Sequence, residues 1–173
     1  MENNIFDIVT AVGSVLTPTI VAIFSVVGWK YKQAMERKIE LEKRLRDDRV
    51  DVYNKILEPF IIMLMSDEAW KSDPKNKNKD RFALATVKLL SVDYRRTAFS
   101  LSLVGEDNVV KSYNNLMQYF FRHSAASDFD VRKVMSLLGT FLLEIRRSIG
   151  NEATKMGNME MLEWFITDAR DMK

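Results

Sequence analysis

The sharpest chemical features of this 173-residue sequence are three clusters of basic side chains. They are Arg95–Arg96 directly after Tyr94, Arg146–Arg147, and Arg122–His123 at the end of YFFRH. A guanidinium is a planar, permanently charged fork that can grip two phosphate or carboxylate oxygens at once. Facing copies of such forks in an oligomer would surround a small polyanion such as a cyclic oligonucleotide. Arg95, Arg96, Arg122, Arg146 and Arg147 are therefore the candidate ligand-binding residues. The same pairs also suit a plainer task, with one guanidinium on an intramolecular carboxylate or helix end and the other in water. His123 is the one histidine, and at a helix C-terminus it is favoured by the dipole without being a ligand or a base.

Other chemistries find little to work with. The sequence has no cysteine, which removes disulfides, thiolate metal sites and a cysteine nucleophile. It contains no HExxH, GxxxxGK[ST], GxGxxG or GxSxG pattern. Glu144, Glu152, Glu160 and Glu163 are scattered without the histidine partners of a metal site. We expect neither metal nor cofactor, and no enzyme. With 26 Lys and Arg against 24 Asp and Glu, the net charge of +2 gives no reason to expect double-stranded nucleic acid.

A second set of side chains is spaced along one helical face: Thr10, Ser14, Thr17, Val21, Ser25 and Gly28. They lie in Ile8–Trp29, IVTAVGSVLTPTIVAIFSVVGW, a stretch of 22 residues without an ionisable group. At ~1.5 Å per residue it reaches the ~30 Å of a bilayer core and reads as a transmembrane helix. Small and hydroxylated residues are the usual contact surface between such helices, so Thr10, Ser14, Thr17, Ser25 and Gly28 are candidates for transmembrane association. The alternative is ordinary tolerance of hydroxyls that bond back to their own helix. Pro18 is expected to kink the span. Glu2 and Asp7 precede it, whereas Lys30, Lys32, Arg37 and Lys38 follow. The positive-inside rule then puts the N-terminus outside and the remainder in the cytoplasm, at a bacterial inner membrane, with Trp29 and Tyr31 at the interface.

The elements that carry these groups divide the chain into an external 1–7, a transmembrane 8–29, a charged helical stalk 30–51 and a cytoplasmic helical domain 52–173. The stalk has favourably ordered pairs, Glu40 with Arg44 and Glu42 with Arg46. Its apolar positions Ala34, Leu41, Leu45 and Val52 make a poor coiled-coil seam, because Lys38 and Asp48 interrupt it. From Val52 both faces turn apolar, and Pro59 predicts a kink or a helix restart. Lys71–Lys79 reads as a polar loop. Asp80 opens a helix that runs to Gly105, with a strand over Phe99, Leu101 and Leu103 as the exception. Another helix begins near Asp107. Ser127–Asp130 resembles a capping box for the helix ended by Gly150. Asn158 is the N-cap of a final helix with Met159, Leu162, Phe165 or Ile166, and Ala169 on its apolar face. The fold class is all-α, with a cytoplasmic bundle of four to five helices.

Three stretches, VYNKILEPFI, LSLVGEDNVVKSYNNLMQYF and LLEIRRSIGNEATKMGNMEMLEWFITD, resemble a family of small bacterial single-pass membrane proteins with a charged stalk and a helical cytoplasmic domain. That family brings no site residues with it. The layout is also similar to membrane effectors of bacterial antiviral signalling triggered by cyclic oligoadenylates. The resulting expectation is a non-enzymatic, membrane-anchored, homo-oligomeric module that binds a protein or nucleotide signal. Its alternative is a pore-forming or membrane-disrupting antiviral effector gated by a cyclic oligonucleotide.

Overall fold

The computed structural model describes residues 2–123 and 129–166, without the side chains of residues 2–24 and 26. Among the described residues there are six helices and no strand. They are α1 (Glu2–Leu64), α2 (Asp67–Ser72), α3 (Arg81–Leu90), α4 (Val92–Val104), α5 (Asp107–His123) and α6 (Val131–Ser148). The chain is all-α, as its composition implies. It forms two compact units, Met1–Leu45 and Arg46–Lys173.

The first unit corrects the membrane assignment. Among the described residues no helix is long and apolar enough to cross a membrane. The expected transmembrane span Ile8–Trp29 is accordingly not supported, and the single-pass inner-membrane location is contradicted. The described side chains of this unit begin at Ser25 and lead into a charged helix. There Lys32–Glu36, Lys38–Glu42 and Arg44–Glu40 are i,i+4 ion pairs at 3.9, 3.9 and 2.6 Å. All three pairs are well exposed, so each contributes at most about 0.5 kcal/mol to the helix.

In the second unit the last turns of α1 form one wall of a bundle. Tyr53, Ile56 and Phe60 are buried at i, i+3 and i+7, the spacing of a single helical face. Pro59 neither stops nor restarts α1, which runs on to Leu64. The α1 end is closed by Arg81, whose guanidinium donates to the Met65 carbonyl, pairs with Asp67 at 3.2 Å and sits over the Phe82 ring. Of the loop expected over Lys71–Lys79, Lys71 and Ser72 still belong to α2, and 73–79 are bends and turns tied by Trp70 Nε1 donating to the Lys79 carbonyl at 2.8 Å.

Contacts fix the directions of the remaining helices. Lys88 of α3 meets Glu58, Tyr94 of α4 meets Ile56, and beyond Val104 Glu106 meets Arg49. The α3–α4 segment therefore runs antiparallel to α1. Phe120 of α5 lies 6.5 Å from Phe60, and Ser148 of α6 is hydrogen-bonded to Tyr53. The order is up, down, up, down. Arg49 also donates to the Val104 carbonyl at 2.6 Å, satisfying one orphan acceptor at the α4 terminus.

Two expected boundaries differ. Asp80–Val104 is two helices, because Ser91 caps both: its N–H donates to Lys88 O while its Oγ accepts from Tyr94 N. Phe99–Leu103 is helix, as expected, and the strand kept as an exception there does not form. The α6 N-cap is Asp130 alone, accepting from Arg132 N, and Ser127 lies outside the described residues.

The expected helix from Asn158 does not form; residues 158–165 are successive turns in a C-terminal strap lying along α6. Gly150, at φ +110°, turns the chain at the end of α6. Arg146 Nε then donates to Thr154 Oγ1 at 3.2 Å. Asn158 Nδ2 donates to Ser136 Oγ at 3.0 Å and also reaches the Ser136 carbonyl and Thr140 Oγ1. Its Oδ1 accepts from Met159 N, so the intended N-cap side chain is spent on α6 and on its own backbone. Leu162 is wholly buried in the core beyond it. Ala169 lies outside the described residues.

Gly139 makes the strap's approach feasible, since a Cβ there would lie 2.1 Å from the Asn158 carbonyl oxygen. Alanine in a helix interior is ordinarily better than glycine by about 0.5–1 kcal/mol. Gly139→Ala is expected instead to destabilise the protein by about 1–3 kcal/mol, the typical cost of overpacking. Denaturant unfolding, with faster amide exchange at Leu162, checks this; a gain in stability would show that the strap is not seated there.

Candidate functional site

The break at Ser91 opens a cleft of about 360 Å³ between the end of α1 and the α3–α4 junction. Lys55, Glu58, Lys88, Asp93 and Thr97 contribute its polar wall. Its charges are mutually committed: Lys88 pairs with Glu58, and Lys55 with Asp51. Thr97 Oγ1 donates to the Asp93 carbonyl at 3.0 Å. Among the described residues no group of three His, Cys, Asp or Glu side chains is placed to hold a metal ion.

Behind the cleft is a short relay of phenols. Tyr113 OH donates to Tyr94 OH at 3.4 Å, and Tyr94 OH donates to the Ile56 carbonyl at 3.3 Å. Burial, reinforced by the neighbouring Tyr113 oxygen, pushes the Tyr94 phenol far above its ordinary value. Burial also raises Tyr113, although its hydrogen bond to Tyr94 works the other way. These hydroxyls remain neutral at physiological pH and act as structural polar ties inside the core.

The opposite side of α3–α4 has a different character. Ala85 and Leu89 of α3, and Tyr94, Ala98 and Leu101 of α4, face the bundle interior. Phe82, Val87 and Leu90 on α3, with Val92, Phe99 and Leu103 on α4, remain between 54 and 80 % exposed. On α4 the outward row is Val92, Arg96, Phe99 and Leu103, at i, i+4, i+7 and i+11. Arg95 and Arg96 supply the charges on this surface, and Arg96 pairs at 3.3 Å with Asp93, which lies on the flank toward the cleft. Scattered exposed hydrophobes are normal, whereas a contiguous row is the mark of an interaction surface. A second exposed group, Phe121, Phe129 and Trp164, borders residues 124–128 and 167–173, which lie outside the described residues.

The candidate arginines occupy three helices. Arg95 and Arg96 are on the outward face of α4, and Arg122 is exposed in the last turn of α5. Arg146 holds the strap through Thr154, and Arg147 pairs with Glu144. Because Tyr119 of α5 is hydrogen-bonded to Asp130 at the start of α6, α5 and α6 are antiparallel. Arg122 and the Arg146–Arg147 pair consequently sit at opposite ends, and the structure does not bring these three into one polycationic pocket. His123 ends α5, stacked 4.3 Å from Tyr119 with Nδ1 3.0 Å from the Tyr119 carbonyl. The side chains of Thr10, Ser14 and Thr17 lie outside the described residues, whereas Ser25 and Gly28 are exposed.

The outward α3–α4 face was not singled out from sequence. Its signal was the pair Phe99 and Leu103, four apart and out of phase with Tyr94, Ala98 and Leu101, which alternation disguised as a strand. Comparison with known protein families, curated proteins and solved structures gives no match.

The phenol relay has a consequence at high pH. Both folded values are raised, so the contribution is complete below about pH 10, the value of an unfolded tyrosine, and is lost as pH rises above it. The unfolded chain then sheds protons that the folded one keeps. Tyr94→Phe is expected to make this alkaline loss shallower while costing about 1 kcal/mol at neutral pH. Denaturation series from about pH 8 to about pH 12 test it; an unchanged alkaline limb would remove Tyr94 as its source.

Proposed function

We propose that this chain is a non-enzymatic helical binding module that engages a protein partner through the outward face of α3–α4. The observation that carries this reading is the row Val92, Phe99 and Leu103, continued on α3 by Val87 and Leu90, all at least 65 % exposed. An aromatic side chain covers roughly 150–250 Å² when buried, so a partner that closed over these residues would gain substantially from desolvation. The neighbouring cleft favours this reading over small-molecule binding, because its lysines already have carboxylate partners.

The nucleotide-signal alternative keeps less support. Of the five candidate arginines, Arg146 and Arg147 are engaged within the fold, and Arg122 is remote from them along α5. Arg95 lies on the flank of the apolar row, where it serves the polar rim of a protein interface, and Arg96, within the row, is paired with Asp93.

A photoreactive phenylalanine analogue placed at Leu103, in the full chain and in its native cells, is expected to give a discrete protein adduct. The same analogue at Lys133 on α6 is expected to give none. Phe99→Glu should abolish the Leu103 adduct while leaving stability within about 0.5 kcal/mol, because the residue is already solvent-facing. Adducts of equal yield at both positions, or an adduct indifferent to Phe99→Glu, would count against this face as the docking site.

A further inference from the structure

The charges on the outward face of α4 are self-complementary. We infer that the occupant of this face is a second copy of this chain, related by a two-fold axis that passes outside the outward face of α4, perpendicular to the helix at the level of residues 94 and 95; the inference rests on the protein-docking reading above. Two independent observations lead there.

The first is area. Phe82, Val87, Leu90, Val92, Phe99 and Leu103, at 54 to 80 % exposure, together present roughly 600 Å² of apolar surface, against about 800 Å² per partner in a standard interface. With Arg96 inside the row and Arg95 and Asp93 on its flanks, the face approaches the size of a stable dimer contact. Homodimers with two-fold symmetry are the commonest assemblies, and their contact is one patch meeting itself.

The second is charge placement. At 100° per residue, Arg96 lies near the middle of the outward row and Asp93 on the flank to the same side. Antiparallel pairing about an axis between positions 94 and 95 sets residue 93 of one copy level with residue 96 of the other. The dyad preserves the flank, so each Asp93 meets the partner's Arg96, twice per interface. The Asp93–Arg96 pair seen within one chain, at 3.3 Å with both side chains highly exposed, is thus available for exchange across the axis.

Sedimentation of the full chain over a concentration series tests this. The wild type is expected to dimerise, and Asp93→Arg alone or Arg96→Asp alone should each weaken association at least about tenfold, because like charges then meet at both contacts. Mixing the two single variants should restore a dimer of one copy of each, and the double variant should restore the homodimer. Melting curves confirm that each variant is folded.

A monomer at every concentration, or a dimer unaffected by these exchanges, overturns the inference. If the chain is monomeric yet Leu103 still yields an adduct with a different protein, the second-copy inference fails while the docking reading stands. If it is monomeric and Leu103 yields no adduct, both fail. If the chain dimerises but the charge exchange gives no rescue, the contact lies elsewhere and the inference fails alone.

Discussion

One face of α1 makes a separate commitment to each of α4, α5 and α6. Tyr53 is hydrogen-bonded to Ser148 of α6, the Ile56 carbonyl accepts from Tyr94 of α4, and the Phe60 ring meets Phe120 of α5. Eight residues, Tyr53 to Phe60, thus determine which of these helices lies where and at what height. The three side chains are almost wholly buried, so each carries an apolar gain of about 1.5–3 kcal/mol besides its specific contact. The polar ties are weak at these distances, but they are placed where an unpaired hydroxyl would be costly. Burial thus holds the bundle together, while the hydroxyls fix its register.

From the same arrangement comes the contrast between the two sides of α3–α4. Inward, Tyr94, Ala98 and Leu101 must meet α1 and α5 at a set height, and Ser91 supplies the bend that lets α3 follow the end of α1. Outward, nothing in the bundle needs Val92, Phe99 or Leu103. Their presence lowers solubility without adding to the core, a combination that a purely structural helix has no reason to keep. The cleft beside the bend is polar for a simpler reason, since the bend parts the helices and admits water, which Lys55, Glu58 and Lys88 tolerate.

Much of the fold was legible in the sequence. Apolar periodicity located the buried part of α1, α5 and α6, and Asp80, Gly105 and Asp107 marked real boundaries. What escaped was local chemistry that competes with periodicity. Ser91 sits inside an uninterrupted apolar pattern, so its double cap leaves no trace in hydrophobicity. Asn158 carries the right residue type for an N-cap, but three acceptors on α6 claim its amide first. Pro59 failed as a breaker because packing around a fully buried proline outweighs one missing hydrogen bond. The span read from Ile8–Trp29 rested on hydropathy alone and is not supported by the described helices. The arginine pairs were visible by type, but adjacency in sequence could not tell whether a guanidinium would meet a ligand or, like Arg146, the next segment of its own chain.

The strap also bears on the order in which the chain assembles. Its ties to α6 span only 8 to 22 residues of sequence, whereas the Tyr53–Ser148 contact joins positions 95 residues apart. Short closures lose little chain entropy and form early, whereas distant ones wait on the rest. The row Ser136, Gly139 and Thr140 therefore lets the C-terminal segment dress α6 before the distant α1 face arrives. On that path the helix that closes the bundle reaches it as a hairpin already covered on one side, leaving one apolar face to be matched.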